Sequence, residues 1–383
     1  MQVTIFCTVV DNFGDIGICW RLAKQLHHEH QCDVLLYVDD LASFQRICPD
    51  VDPIQPAQTI EGVRVGLWSE DFIALANDTP QLLIEAFACK IPQPYLLQCQ
   101  LLKQVPVWIN LEYLTAESWA ADCHGLASPQ AGLSLKKYFY FPGFTERYGG
   151  LLREATVVAQ AHAIRQDRAL QADFWQRVGI ADAMQFSRKI SVFAYSQQGI
   201  SSWFDWLAAQ TATSLLLVPQ GVLAQQLSTE YPALAHGRLQ LGALTVQIMP
   251  FVPQPDYDLL LACCDFNFVR GEDSIIRAHW AGRPFIWQIY RQDEQAHLQK
   301  LHAFLDLMLE DAPLPLVDLI RRAHDAWEQE QNFVDVWTEL ASNHSQYADY
   351  VLEWQRKLTA HEDLASNLVR FAKNKHIIPR TFS

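Results

Sequence analysis

Val3 to Val10 is a short apolar run rich in β-branched residues. It breaks into the turn Asp11-Asn12-Phe13-Gly14-Asp15-Ile16-Gly17 before a helix-compatible stretch from about Ile18 to His30. A run of this length without polar alternation is the pattern of a parallel strand buried on both faces. Strands of that kind need helices on both sides, so the pattern commits the chain to an α/β architecture. The alternation continues. Val34 to Val38 predicts a second strand ending at Asp39-Asp40, Leu41 to Ile47 a short helix closed by Pro49, and Leu82 to Phe87 and Val107 to Leu111 further strands. The pattern then restarts, with strands expected over Lys189 to Tyr195, Ser214 to Val218, Val246 to Phe251 and Phe285 to Ile289, and a helix over Trp203 to Gln210. The apolar run Leu259 to Val269 spans a helix end and a strand. With 383 residues, half of them apolar, each half can bury its own core. Two doubly wound domains are therefore expected.

Between the halves, Ser128 to Gly150 is turn-rich and aromatic, with Tyr138, Phe139, Tyr140, Phe141, Phe144 and Tyr148, and is expected to run over the surface. Arg153 to Val178 reads as a polar helical connector. From about Pro315 to Lys373 the chain looks helical, and it ends in a basic tail with Arg370, Lys373, Lys375 and Arg380.

A formal net charge of −14 argues against a general nucleic-acid binder, which needs a basic face. Twelve tryptophans argue against disorder. The nine cysteines form no CxxC pair, and Cys263-Cys264 lie in an apolar run, so buried reduced thiols are expected. The N-terminus enters a strand pattern without a basic n-region or cleavage site, and no window reaches the ~18 apolar residues of a membrane span. A cytoplasmic protein is expected.

Two turns carry the candidate chemistry. Asp11 and Asp15 stand four residues apart after the first strand, with Gly14 and Gly17 allowing close backbone approach. Asp15 can equally serve as a helix N-cap, and the pattern leaves both readings open. Arg270-Gly271-Glu272-Asp273-Ser274 joins the run ending at Val269 to a helix expected from Ile275 to Ala281. Backbone N–H groups and the helix dipole there favour an anion such as a phosphate. Asp273 or Ser274 can cap that helix, whereas Glu272 has no evident capping duty. Phe251, Pro253, Gln254 and Tyr257 surround the preceding turn, where an aromatic ring and a backbone loop can hold a planar base. Ligands on open α/β sheets bind beyond the carboxyl ends of the strands, and both turns fall there. One such turn in each half suggests an enzyme with its site in the cleft between them. A dinucleotide reading is weak: the first turn lacks the third glycine of GxGxxG, although Asp39 stands where a ribose-binding acid would. There is no phosphate loop and no HExxH, and His27, His28 and His30 read as a solvated face.

Together these segments resemble the EarP family of bacterial protein-arginine rhamnosyltransferases. The matching pieces include Val10 to Gly17 with Cys19-Trp20-Arg21-Leu22-Ala23, Val38-Asp39-Asp40-Leu41, Glu85-Ala86-Phe87-Ala88-Cys89 and Leu111-Glu112-Tyr113-Leu114. The most specific block runs from Phe251-Val252-Pro253-Gln254 through Val269 to Ser274 and on to Ala281 to Tyr290, and Lys300-Leu301-His302-Ala303-Phe304 continues it. The resemblance implies a GT-B glycosyltransferase fold, two facing Rossmann-like domains. They would span residues 1–155 on the acceptor side and 186–355 on the nucleotide-sugar side, joined by a connector at 156–185. A helical tail at 356–383 would return to the first domain.

It also implies a reaction. The donor would be dTDP-β-L-rhamnose and the acceptor an arginine of translation elongation factor P, with inversion at the anomeric carbon and no metal or other cofactor. The modified factor would rescue ribosomes stalled at polyproline. Asp15 matches the family's candidate base, with Asp11 as its helper, and Glu272 its second functional acid. Donor contacts would come from Asn12, Phe13, Gly14, Phe193, Tyr195, Phe251, Val252, Pro253, Gln254, Tyr257, Arg270, Gly271, Asp273 and Ser274. The alternatives are a GT-B transferase with another nucleotide sugar or acceptor, and an elongation-factor-binding module without turnover.

Overall fold

A computed structural model describes residues 1–10, 14–69, 71–290 and 296–377. The chain divides into two compact units, residues 1–155 with 358–383 and residues 156–357.

The first unit runs β1 (Gln2–Cys7), α1 (Gly14–His28), β2 (Asp33–Val38), α2 (Leu41–Ile47), β3 (Ala57–Ile60), β4 (Val63–Leu67), β5 (Leu82–Ala86), α3 (Gln93–Cys99), β6 (Val107–Leu111), α4 (Ser118–Cys123), β7 (Ala127–Pro129) and β8 (Lys136–Tyr140). Its eight strands lie in the order β3-β4-β2-β1-β5-β6-β8-β7. The central pairings are parallel, and the outermost strands β3 and β7 pair antiparallel to β4 and β8. In β1 the residues from Val3 to Cys7 are buried without alternation, as a strand covered on both faces requires. Phe6, Tyr37, Trp68, Tyr95 and Trp108 belong to one core cluster. Phe6 meets Trp68 edge-on at 5.4 Å between ring centroids.

The second unit runs α5 (Val157–Gln166), α6 (Arg168–Arg177), β9 (Arg188–Val192), α7 (Ile200–Ala208), β10 (Ser214–Pro219), α8 (Val222–Glu230), β11 (Arg238–Leu241), β12 (Leu244–Met249), α9 (Gln254–Cys263), β13 (Phe266–Arg270), α10 (Gly271–Ala281), β14 (Phe285–Gln288), α11 (Ala296–Met308), α12 (Leu314–Gln329), α13 (Phe333–Ser342) and α14 (His344–Thr359). The strand order is β11-β12-β10-β9-β13-β14, parallel except at β11. Trp203 of α7 packs edge-on against Trp327 of α12 and Trp337 of α13, with centroids at 6.0 and 5.0 Å. The tryptophans therefore weld helices to this sheet. All nine cysteines are free thiols; Cys89 and Cys123 are half-buried and the rest buried.

Three local expectations change. The aromatic stretch after Ser128 is not a surface run, because it supplies β7 and β8, and Tyr140, Phe141, Phe144 and Tyr148 are buried. The polar segment 156–185 contributes α5, which packs on α9 and α10 within the second unit. Helix α10 begins at Gly271, four residues before the expected start at Ile275.

The chain end, α15 (Leu364–Ile377), belongs to the first unit. The Leu364 N–H donates to Leu151 O at 2.9 Å and Asn367 Nδ2 to Gly149 O at 3.0 Å. Phe371 sits edge-on to Tyr138 and Tyr140, at 5.5 and 5.4 Å.

Candidate active site

In the second unit β9 is flanked by β10 on one side and β13 on the other. The crossover direction reverses there, so a crevice opens at the carboxyl ends of β9 and β13. Past the end of β9, the Phe193 N–H donates to Phe268 O at 2.9 Å and the Tyr195 N–H to Gln288 Oε1 at 2.8 Å. Gln288 is buried and passes the connection on: its Nε2 donates to Gln197 Oε1 at 3.3 Å, and Gln197 Nε2 donates to Trp327 O at 2.8 Å. Two buried amides thus hold the loop that carries Tyr195.

At the end of β13, Arg270 is extended and Gly271 turns the chain with φ +67°. Glycine suits that left-handed turn, and space is open where a Cβ would stand. Trp287 Nε1 donates to Gly271 O at 2.9 Å. Arg270 is the N-cap of α10 and makes no side-chain capping bond, so its side chain does not satisfy the first N–H groups of the helix. Its guanidinium carbon lies 4.6 Å from the Phe193 ring centroid and 4.5 Å from that of Tyr195. Contact with two π faces holds a planar cation beside a helix start that attracts anions.

The aromatic wall extends from there. Phe193 stands edge-on to Phe251 at 6.4 Å and to Tyr257 at 6.0 Å, and Tyr195 edge-on to Tyr290 at 5.8 Å. Phe251 is 44% exposed, unusual for a ring in such a wall, and so offers a stacking face. Val252 is half-buried, and Pro253 caps α9 with Gln254 as its first residue. Tyr257 is half-buried with its hydroxyl buried, and burial raises its phenol.

The acids of the second turn divide their duties. Asp273 Oδ2 accepts Arg277 Nε at 2.7 Å. Arg277 is buried and also reaches both oxygens of Asp258 at 2.8 Å, tying α10 to α9. Ser274 is buried. Glu272 Oε1 meets Lys300 Nζ of α11 at 2.7 Å.

In the first unit the same reversal occurs at β1, between β2 and β5. Beyond β1, Trp68 Nε1 donates to Cys7 O at 2.9 Å and the Val9 N–H to Asp39 Oδ1 at 2.9 Å. Asp39 thus secures the loop after β1. Asp15 lies in the first turn of α1, only 2% exposed. Its Oδ2 accepts the Val10 N–H at 3.0 Å and its Oδ1 the Tyr113 hydroxyl at 3.4 Å. Asp11, Asn12 and Phe13 lie outside the described residues, and Gly14 opens α1.

Tyr113 stacks on Phe87, centroids 4.5 Å apart and planes at 15°. Phe87 and Ala88 both have φ +54°, a conformation disfavoured for non-glycine residues that concentrates at functional sites. Asn110 supports this turn: its Oδ1 accepts the Ala88 N–H at 3.0 Å and its Nδ2 donates to Glu112. Burial raises the Glu112 carboxyl above its ordinary range. Beneath it, buried Glu85 takes Trp108 Nε1 at 3.0 Å and Lys137 Nζ at 3.3 Å.

Among the described residues no three His, Cys, Asp or Glu side chains gather as a metal site, and no helix is long and apolar enough to cross a membrane. His27 of the histidine cluster is engaged with Cys32 O at 3.0 Å.

The family model for elongation-factor P (EF-P) rhamnosyltransferase EarP matches residues 3–373. The chain belongs to the EarP family. It is therefore an enzyme of a family of protein-arginine rhamnosyltransferases, with the GT-B fold. A protein-arginine rhamnosyltransferase of Pseudomonas putida is 42% identical over 377 residues, covering 97% of this chain and 98% of the relative. One of Pseudomonas aeruginosa is 41% identical over 370 residues, covering 96% and 97%. A solved structure described as the structural basis for EarP-mediated arginine glycosylation of translation elongation factor EF-P superposes with a TM-score of 0.67 at 30% identity, covering 97% of this chain and 99% of that one.

Within this EarP-family chain, sequence reasoning placed Tyr113, Phe87–Ala88, Gln288 and Lys300 in segments that carry the resemblance but assigned none of them a role. Phe87 and Tyr113 follow the carboxyl ends of β5 and β6, so strand order was the signal for them. Gln288 and Lys300 had no local signal, because each acts on a residue far away in sequence.

Proposed function

We propose that this chain transfers rhamnose from dTDP-β-L-rhamnose to an arginine side chain of translation elongation factor P, with inversion at the anomeric carbon. The observation that carries the donor assignment is Arg270, set over Phe193 and Tyr195 at the start of α10, in a chain of the EarP family. The diphosphate would lie against the Arg270 guanidinium and the first N–H groups of α10, which neutralise its charge without a metal ion. The thymine would stack in the wall of Phe193, Phe251 and Tyr257, with Val252, Pro253 and Gln254 forming its rim. Gly271 lets the backbone approach, and Asp273 and Ser274 contribute backbone N–H groups.

A guanidinium is a weak nucleophile because its charge is delocalised and its protons are firmly held. Asp15 orients it and takes one proton as the new bond forms. The acceptor nitrogen attacks C1, the bond from C1 to the diphosphate oxygen breaks, and dTDP departs with that electron pair. The proton goes to the Asp15 carboxylate. Asp11 assists Asp15; Asn12, Phe13 and Gly14 would contact the donor, and Glu272 steadies the sugar as positive charge develops. Association with a translation factor implies work in the cytoplasm.

The test is intact-mass measurement of unmodified elongation factor P after incubation with this chain and dTDP-β-L-rhamnose in the presence of a chelator. Gain of one deoxyhexose on a single arginine is expected. Stabilisation of the chain by the donor without any gain would mean a different acceptor, and the absence of both effects would overturn the reading.

A further inference from the structure

We propose that Lys300 is a positioning residue for the transfer, balancing the charge of Glu272 so that the dianionic diphosphate of the donor can occupy the start of α10. This rests on the reading that α10 receives the donor diphosphate. Glu272 is the second residue of α10. A carboxylate there is favoured by the helix dipole when the site is empty. Once a diphosphate arrives, the same carboxylate becomes a like charge beside it in a partly dehydrated pocket, where repulsion is poorly screened.

Lys300 answers that conflict. Its Nζ lies 2.7 Å from Glu272 Oε1, and the two side chains are 21% and 16% exposed. The pair is shielded enough for its charge to act, and open enough to adjust when ligand binds. Lys300 stands on α11, 28 residues away in sequence, so it acts on the α10 start from a separate element. Contact with Oε1 also sets the direction in which the carboxylate presents itself to the sugar. Lys300 thus reaches the reaction through Glu272, while Arg270 faces the diphosphate directly.

The experiment uses the full chain with dTDP as calorimetric probe, and donor KM and kcat in the mass assay. Lys300→Met is expected to weaken dTDP binding and raise the donor KM by about tenfold, with kcat falling by less than about threefold. Lys300→Arg should restore most of the affinity. Adding Glu272→Gln to Lys300→Met should also restore dTDP affinity, to within about threefold of Glu272→Gln alone, because the unbalanced charge is gone. A merely structural lysine would not be rescued by removing its partner's charge. Should Lys300→Met fail to fold, Lys300→Gln carries the same comparison. Unchanged dTDP affinity in the lysine variant, or no rescue by Glu272→Gln, overturns the proposal. Failure of the unaltered chain to bind dTDP overturns the donor reading itself, and is seen in the same titration.

Discussion

The guanidinium carbon of Arg270 lies 4.5 Å from the ring centroid of Tyr195, whose own backbone is held by the buried Gln288. The cation is thus placed by an aromatic face on a fixed loop. Arg270→Lys should weaken dTDP binding by about tenfold, since an ammonium loses both the planar stacking and the fork of donors. Calorimetric titration at two salt concentrations checks this. Equal affinity of the two proteins would remove Arg270 from the diphosphate site.

Asp15→Asn should lower kcat by about 10²- to 10⁴-fold, the usual worth of a positioned general base, with dTDP affinity almost unchanged. The amide oxygen of asparagine can still accept the Val10 N–H, so the turn should survive. Single-turnover kinetics measure the loss. Full turnover in this variant would show that the base is elsewhere.

Tyr113→Phe should cost less, up to about fivefold in kcat, because it removes one long hydrogen bond while keeping the stack on Phe87. Tyr113→Ala should cost more, since the strained Phe87 turn then loses its cover. A hydroxyl-only variant as damaging as the alanine would show that the stack contributes nothing.

Stability should fall on mild acidification. Burial lowers the ring of His279 to about 3 and that of His324 to about 4. The unfolded chain takes up these protons near pH 6.5 and the folded one does not. Their contribution is therefore complete above about pH 6.5 and is lost progressively as pH falls toward the folded values. At pH 5 the loss is about 2 kcal/mol for each ring. Urea midpoints from pH 8 to 4.5 test this, and His279→Phe, which suits the surrounding rings of Phe285, Phe304 and Trp354, should flatten the slope. An unaltered slope would assign the acid sensitivity to other groups.

Lys137→Met should destabilise the first unit by about 3 kcal/mol, because it strands the buried carboxylate of Glu85. Glu85→Gln in the same protein should recover most of that loss, with Trp108 still donating to the amide oxygen. Denaturant melts of the single and double variants decide the point. No recovery would mean that Lys137 acts through its packing on the Trp108 ring, 5.0 Å away.

Strands buried on both faces announce themselves, so β1, β2, β5, β6, β9, β10, β13 and β14 were legible as apolar runs. Other strands of the first sheet were not: β8, with its lysines and aromatics, and the three-residue β7 read as a turn-rich surface stretch, and β3 alternates too briefly to stand out. The start of α10 was misplaced for a related reason. Asp273 and Ser274 resemble capping residues, yet Gly271 turns the chain with φ +67° and Arg270 occupies the cap position.

The sequence by itself determined the two α/β units, the EarP family and the identity of the acids at the strand ends. Those follow from local periodicity and from residue types at short spacing. The folded structure decided which donors and cations each acid meets. It gave Asp273 to Arg277, Glu272 to Lys300 and Asp15 to Val10 and Tyr113. A carboxylate's surroundings are set by the charge and hydrogen-bond donors within a few ångströms, and here Lys300 and Tyr113 come from elements remote in sequence.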